Sequence, residues 1–165
     1  MNKEQEIKEW FEKNFVYNCK NRDTIRCLYN FINDDDKLYQ LKYDYYELLD
    51  LINRIKNNKK VAKSLCLLVY RIACNLEVYF GEGNFFYALE EILIKKNRDY
   101  GSSFDKSINK FGWIYVAIEL DKKKNRLHSL LKNKEKPNYE SVEDTLLDIA
   151  GYCVLSLIYL ENKEA

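Results

Sequence analysis

Apolar residues recur along this chain at intervals of three and four positions, which is the spacing of amphipathic helices. Near the N-terminus, Ile7, Trp10 and Phe11 fall on one helical face, whereas the strict alternation typical of strands is scarce. The pattern predicts an all-α helical bundle of about seven helices. We expect them near residues 3–14, 23–33, 38–57, 61–80, 84–98, 102–131 (interrupted near Gly112) and 141–162.

Glycines and capping motifs indicate where the predicted helices begin and end. Gly81-Glu82-Gly83 is the clearest hinge, because glycine adopts positive φ without steric cost. It separates an N-terminal helical region of unknown role, residues 1–80, from a C-terminal helical region, residues 81–165; the two can still pack as one unit. Ser102 and Ser141 each begin an S-x-x-D capping box. Gly151 lies inside the last helix at a cost of about 1 kcal/mol, which predicts a close helix crossing there.

Composition excludes several classes of protein. The 165 residues contain 27 Lys+Arg and 26 Asp+Glu, so the basic excess of a general nucleic-acid-binding protein is missing. Five glycines and one proline are too few for a turn-rich β fold, and 47% hydrophobic residues are too many for disorder. With one histidine, a catalytic metal would rest on carboxylates, which favours Mg²⁺ or Mn²⁺.

The cysteines and the lengths of the apolar runs indicate where in the cell the protein is located. The five cysteines form no C-x-x-C pair, which favours a reducing cytoplasm. The longest apolar runs, residues 64–73 and 149–160, are shorter than the ~18 residues that a membrane span requires. We expect a cytoplasmic protein without membrane attachment.

The first candidate site lies at the start of the last helix. Asp144 and Asp148 are four residues apart and would share a helical face, close to Glu140 and Glu143. Such carboxylates repel one another unless a cation or water separates them, so one interpretation is a Mg²⁺ site. The alternative is that the acids only complement the positive end of the helix dipole. Asp148 fits this alternative poorly, because apolar residues surround it.

The second and third candidates are charged helical segments. In residues 119–126, Asp121 and Asn125 share one helical face, and Lys122 and Arg126 share the adjacent face. An acid and an amide beside two cations suit a metal-bound polyphosphate, although a solvated charged face is equally consistent. Residues 95–101, which include Lys96, form a basic helix end followed by a glycine turn, which the helix dipole also explains.

In order, these segments resemble a known family. They are K-N-R-D-Y-G-S-S-F at residues 96–104, D-K followed by N-R-L within residues 121–127, and E-S-V-E-D-T-L-L-D-I-A-G-Y at residues 140–152. Together they resemble the nucleotide modification associated domain family of bacteria and their phages, which is similar to the all-α MazG-like nucleotide pyrophosphohydrolases. The resemblance spans about residues 88–160 and does not extend to the first 80 residues.

The resemblance implies a MazG-like C-terminal half with an N-terminal helical extension, and a nucleotide site with Mg²⁺ (or Mn²⁺) between two helices. Asp121, Asp144 and Asp148 would be the catalytic and metal-binding residues. The nucleotide-binding residues would be Lys96, Asp99, Tyr100, Lys122, Asn125 and Arg126. The chain departs from the family pattern of E-x-x-E followed by E-x-x-D, because Thr145 stands three residues before Asp148. Fewer acids imply one metal instead of two, or binding without hydrolysis.

Two functions therefore remain open. The first is a Mg²⁺-dependent pyrophosphohydrolase acting on a free nucleoside triphosphate in the cytoplasm of a bacterial host cell. The second is a non-catalytic protein that binds or sequesters a nucleotide or a cyclic-nucleotide signal, as a phage protein would. A third interpretation, which is compatible with either function, is an oligomeric helical interaction module with residues 149–160 as the intersubunit seam. We also expect a homo-oligomer and no stable binding of nucleic acid.

Overall fold

The computed structural model describes residues 2–16, 36–80, 84–132 and 141–164. The helix predicted at residues 23–33 lies outside these ranges, as does Glu140. Within them the chain forms seven α-helices and no strand, which confirms the all-α bundle. The helices are α1 Lys3–Phe11, α2 Asp36–Lys56, α3 Ala62–Phe80, α4 Asn84–Tyr100, α5 Ser103–Phe111, α6 Trp113–Lys132 and α7 Val142–Glu164; a π-helical turn, Glu12–Val16, continues α1.

Four of these helices, α2, α3, α7 and α6, form a bundle in which each packs against two others. Helix α2 contacts α3 and α6, and α7 contacts the same two helices from the opposite side. Leu51, Leu68, Leu120 and Val154, one from each helix, are at most 2% exposed. Burial of a leucine or valine side chain contributes roughly 1.5–3 kcal/mol, so this shared core holds the bundle together.

The bundle combines both regions of the sequence. The hinge predicted at residues 81–83 lies outside the described ranges. One buried apolar cluster contains Leu68, which precedes these residues in the sequence, and Leu120, which follows them. The apolar run at residues 149–160 also belongs to this core, since Ile149, Val154 and Ile158 are buried against helices of the same chain. Five side chains of the same run are only partly buried, namely Tyr152, Leu155, Leu157, Tyr159 and Leu160. The oligomeric state therefore stays a prediction.

Two glycines terminate helices beside the bundle. Gly101, after α4, has φ of 62° and Gly112, after α5, has φ of 68°; both values lie in the left-handed region that favours glycine. The sequence-based capping box at Ser102 is wrong, because the Ser102 side chain makes no capping hydrogen bond. Its expected partner, Asp105, instead pairs with Lys3 of α1.

A third glycine, Gly151, marks the close approach of α4 and α7. A Cβ atom added at Gly151 would lie 3.1 Å from Cδ2 of Leu93. The absence of a side chain therefore lets α7 approach α4 closely, which confirms the helix crossing predicted from the sequence. Gly151 and Leu93 also line the cavity described below.

Helix α1 packs outside the bundle, against α4 and α7. Ile7 and Phe11 are buried on its inner face. The Arg98 guanidinium donates two hydrogen bonds to the Glu4 carboxylate, at 3.1 Å and 2.8 Å. These bonds, with one from Lys8, lower the pKa of Glu4 to about 2. The first turn of α1 is thus attached to the end of α4. No helix in the described ranges is long and apolar enough to cross a membrane.

Candidate functional site

A cavity of about 260 Å³ lies beside the bundle, bounded by α4, the Gly101 turn, α5, α6, α7 and the first residue of α1. This volume is slightly below the roughly 300–1,000 Å³ typical of small-molecule clefts, so the cavity suits a small ligand or one part of a larger one. Its charged lining residues are Lys3, Lys96, Asp105, Lys123 and Asp148, and its aromatic ones are Tyr100, Phe104, Tyr115 and Tyr152.

The central feature of the cavity wall is a carboxylate between two ammonium groups. Lys96 Nζ donates to Asp148 Oδ1 at 2.6 Å, and Lys123 Nζ donates to Asp148 Oδ2 at 2.6 Å. The three residues come from α4, α6 and α7, so the contact joins three helices. Charge-assisted hydrogen bonds of this length are about twice as strong as neutral ones.

Asp148 is ionised in this arrangement. Burial alone would raise its pKa, but the hydrogen bonds from Lys123 and Lys96 outweigh burial, and the pKa of the carboxyl lies below its ordinary value of 3.8. The carboxylate therefore keeps its charge at neutral pH. Both lysine ammonium groups are therefore paired with the Asp148 carboxylate on the cavity wall.

The helical register of α6 explains why Lys123 faces the cavity. Val116, Leu120 and Leu127 are buried on the inner face of α6, and Lys123 falls between them at intervals of three and four residues, on the same face. Its side chain is only 21% exposed, whereas that of the neighbouring Lys122 is 63% exposed. A lysine in a buried apolar stripe needs an anionic partner, and Asp148 supplies it.

Aromatic side chains form a further part of the lining. The Phe104 ring lies 5.8 Å from the Tyr115 ring and 6.4 Å from the Tyr152 ring, centroid to centroid. The Tyr152 hydroxyl donates to Glu119 Oε2 at 3.2 Å. Burial first, and then the charge of Glu119, raise the pKa of Tyr152 and of Tyr115, so both hydroxyls stay protonated. Tyr100 is 71% exposed at the rim.

The structure brings three of the predicted site residues to this cavity: Lys96, Tyr100 and Asp148. Asp99 is exposed on the last turn of α4, and Arg126 is half-buried on α6. Neither is among the residues that line the cavity.

The other predicted residues on α6 pair with one another or with close neighbours. Asp121 accepts hydrogen bonds from Lys124 at 2.7 Å and from Asn125 at 3.4 Å. Lys122 donates to Glu119 at 2.8 Å. These contacts are separated by three or four residues, as expected for pairs along one helix surface. Asp121, Lys122 and Asn125 thus lie outside the cavity lining.

Asp144 forms the capping box that the sequence predicts at the start of α7. Its backbone N–H donates to Ser141 Oγ at 3.1 Å, and its Oδ2 accepts from the Ser141 backbone N–H at 3.2 Å. The Ser141 hydroxyl also donates to Oδ2 at 2.9 Å. Asp144 is exposed, and these bonds satisfy backbone groups that a helix N-terminus leaves unpaired.

A shared Mg²⁺ site for Asp121, Asp144 and Asp148 does not fit this arrangement. The three carboxylates bind different partners, namely Lys124, Ser141 and the two cavity lysines. Across the described ranges, no group of three or more His, Cys, Asp or Glu side chains is placed to hold a metal ion. Two ammonium groups beside Asp148 also oppose the approach of a divalent cation. The metal requirement stays a prediction.

Several cavity residues were not predicted from the sequence. Lys123 could have been found, because it interrupts the apolar stripe of α6. Phe104 and Tyr152 fall within the family motifs but receive no role there, and Tyr115 lies among apolar residues of its own helix, as core residues do. The residues around Lys3 in the sequence do not indicate that it lines the cavity, because its partner Asp105 is 102 residues away.

Comparison with known protein families gives a match to the C-terminal half of the chain. Residues 96–160 match the family model described as nucleotide modification associated domain 1. No curated protein and no solved structure matches the chain. The match covers less than half of the chain, begins at the cavity residue Lys96 and includes Lys123 and Asp148. It confirms, over residues 96–160, the family resemblance expected from the sequence. The similarity to MazG-like pyrophosphohydrolases stays a prediction.

Proposed function

We propose that this protein binds a nucleotide in the cavity, with phosphate oxygens contacting Lys96 and Lys123. The observation that supports this proposal is the convergence of two ammonium groups, from different helices, on one carboxylate of the cavity wall. Phosphate and carboxylate oxygens are similar hydrogen-bond acceptors for ammonium groups. A position where two lysines already hold one anionic group is therefore suited to a phosphate.

Asp148 has a positioning role in this proposal. Both ammonium groups are at the ends of flexible side chains, and an unrestrained lysine side chain loses rotamer entropy when it binds a ligand. The ionised Asp148 holds the two ammonium groups close together before the ligand arrives. Part of the entropy cost is then already met in the folded protein, which favours ligand binding.

The aromatic lining supports a ligand with a base. Base–aromatic stacking contributes about 1–3 kcal/mol per base, and Tyr100 presents an exposed ring at the cavity rim. Phe104 and Tyr152 provide further aromatic surface deeper in the cavity. The name of the matching family, which refers to nucleotide modification, is consistent with this ligand class.

Mg²⁺-dependent pyrophosphohydrolysis remains the second candidate. It is supported by Asp148, a carboxylate held ionised beside the proposed phosphate position. The other two predicted acids, Asp121 and Asp144, lie outside the cavity lining, so the geometry favours binding over hydrolysis. Binding of a phosphate by lysine side chains needs no metal ion, and so it needs no cluster of carboxylate ligands.

Calorimetry with a panel of ribo- and deoxyribonucleoside mono-, di- and triphosphates and cyclic nucleotides tests the proposal. We expect binding that survives EDTA, with the ligand recovered intact. Lys96→Met and Lys123→Met should each weaken binding by about tenfold or more, as loss of a charged hydrogen bond predicts.

Lys122→Met is the matched control. Lys122 is next to Lys123 and has its own ion pair with Glu119, so this variant also loses one cation and one salt bridge. We expect its affinity to stay within about twofold of the unmodified protein. Binding of no nucleotide, or equal weakening by Lys122→Met and Lys123→Met, would contradict the proposal. Pyrophosphate release in Mg²⁺ or Mn²⁺ would instead support the second candidate.

We further infer a cytoplasmic location and a homo-oligomeric state in a bacterial host cell. The first inference follows from the proposed ligand, since free nucleotides are cytoplasmic metabolites. Light scattering tests the second, and a monomeric mass at working concentration would contradict it.

A further inference from the structure

The Tyr152 hydroxyl joins helices α7 and α6 beside the cavity. It donates to Glu119 Oε2 at 3.2 Å, and the other Glu119 oxygen accepts from Lys122 at 2.8 Å. Tyr152 lines the cavity, whereas Glu119 does not. The Glu119 side chain is also only 18% exposed. Tyr152 is therefore the member of this pair that a ligand in the cavity contacts.

The helical register places this contact one turn from the proposed phosphate position. Glu119 and Lys123 are four residues apart on α6, and Asp148 and Tyr152 are four residues apart on α7. The Lys123–Asp148 and Glu119–Tyr152 hydrogen bonds are therefore successive contacts between the same two helices. Side chains at this spacing are about 5–6 Å apart on a helix surface. The two contacts are thus separated by roughly one helical turn.

Glu119 determines which hydrogen-bonding group Tyr152 offers to a ligand. A phenolic hydroxyl carries one proton to donate, and its oxygen can also accept. Because Tyr152 donates its proton to Glu119, its oxygen serves a ligand only as an acceptor. Tyr152 is therefore suited to a ligand group that carries a proton, such as a hydroxyl. It is not suited to a phosphate, whose oxygens are themselves acceptors.

A second tyrosine hydroxyl lies beside the first. Tyr115 is one turn before Glu119 on α6, and it also lines the cavity. Burial and the charge of Glu119 raise the pKa of Tyr115, and hydrogen bonding by Ser107 and Tyr152 opposes this rise only in part. Tyr115 therefore keeps a proton at neutral pH. A ligand hydroxyl can both donate and accept, so it matches this pair of tyrosines.

We propose that Tyr152, together with Tyr115, binds a sugar hydroxyl of the ligand, and that Glu119 is a positioning residue that directs the Tyr152 hydroxyl. In a nucleoside 5′-phosphate, a few covalent bonds separate the sugar hydroxyls from the phosphate, whereas the base lies on the far side of the sugar. A proton-bearing group about one helical turn from the phosphate position is therefore a sugar hydroxyl. This inference rests on the proposed function, in which Lys96 and Lys123 bind the phosphate.

Calorimetry with ribose 5-phosphate and inorganic pyrophosphate tests this inference without knowledge of the base, because only the first of these ligands has sugar hydroxyls. Tyr152→Phe should weaken ribose 5-phosphate binding by about three- to tenfold, as expected for the loss of one hydrogen bond. It should change pyrophosphate affinity by less than about twofold. Glu119→Ala should have the same selective effect. Glu119→Gln keeps an acceptor oxygen for Tyr152 and should retain ribose 5-phosphate affinity within about twofold.

Tyr159→Phe is the matched control, since the Tyr159 hydroxyl on the same helix donates to Asn109 Oδ1 at 3.1 Å but Tyr159 does not line the cavity. It should change neither affinity. Circular dichroism and thermal melts on every variant identify loss of fold. Equal weakening of both ligands by Tyr152→Phe, or no weakening of either while Lys123→Met weakens both, would overturn the role of Tyr152 alone. If Lys96→Met and Lys123→Met also have no effect, the proposed function fails with it.

Discussion

The Asp148 carboxylate lies between the Lys96 and Lys123 ammonium groups, each 2.6 Å from a different carboxylate oxygen. Because the three residues belong to α7, α4 and α6, this contact connects three helices that surround the cavity. Of these three helices, α6 and α7 belong to the four-helix bundle and α4 does not. The contact therefore fixes α4, and with it the cavity wall, to the bundle.

We predict that Asp148→Asn lowers the free energy of unfolding by about 1–3 kcal/mol at neutral pH, because it leaves two ammonium groups close together without their shared counterion. Urea denaturation followed by circular dichroism measures this change. Asp50→Asn is the control, since Asp50 also accepts a 2.6 Å bond, from Arg54, but is exposed on α2. Its cost should be below about 0.5 kcal/mol, and equal costs for the two variants would contradict the prediction.

The stabilising effect of Asp148 should depend on pH. Hydrogen bonds from the two lysines lower the pKa of Asp148 from 3.8, and a carboxyl in the unfolded chain titrates near 3.9. Because folding lowers this pKa, the stabilising contribution of Asp148 is complete when the pH is above the pKa of the unfolded chain. It is lost as the pH falls through the lower pKa of the folded protein.

The difference in unfolding free energy between the unmodified protein and Asp148→Asn should thus stay constant from about pH 7 to about pH 5 and shrink below about pH 4. Urea denaturation at a series of pH values measures it. A difference that already shrinks between about pH 6 and pH 5 would indicate a raised pKa, and the two lysines would then not govern this carboxyl.

Asp144 should contribute to stability and not to ligand binding. Its capping box with Ser141 predicts that Asp144→Ala lowers the free energy of unfolding by about 0.5–2 kcal/mol, and Ser141→Ala should have a similar effect. Nucleotide affinity should be unchanged in both variants. If Asp144→Ala abolishes binding or turnover while the melting curve shows an intact fold, Asp144 acts in the site as the sequence predicts.

The helices were predictable because their limits depend on local chemistry. The spacing of apolar residues and the glycines at their ends predict helices at residues 61–80 and 84–98, and the structure has Ala62–Phe80 and Asn84–Tyr100. Ser102 shows the limit of this approach. Its S-x-x-D pattern is identical to that at Ser141, yet Asp105 pairs with Lys3 from another helix. A tertiary contact has replaced the local one.

The cavity was only partly predictable for a similar reason. Asp148 and Lys96 were expected from their motifs, and the structure brings them together. Charge spacing along α6 predicts Lys122 and leaves Lys123 out, because this spacing does not reveal which face of the helix is buried. The apolar positions Val116, Leu120 and Leu127 do reveal it, since they place Lys123 on the inner face.

The close approach of α4 and α7 at Gly151 should tolerate a methyl group but not a branched side chain. In Gly151→Ala, the Cβ would lie 3.1 Å from Leu93 Cδ2, which is the end of a flexible side chain. The gain in helix propensity, about 1 kcal/mol, should roughly cancel the strain. Gly151→Val should instead lower the free energy of unfolding by about 1–3 kcal/mol, because its additional carbon atoms require the helices to separate.

Urea denaturation of Gly151→Ala and Gly151→Val measures both effects, and calorimetry with pyrophosphate follows the cavity. Since Gly151 lines the cavity one turn after Asp148, we expect Gly151→Val to weaken pyrophosphate binding and Gly151→Ala to leave it within about threefold. Equal stability of the two variants would mean that α4 and α7 separate without cost. In that case the glycine would not be needed for the helix crossing that shapes the cavity.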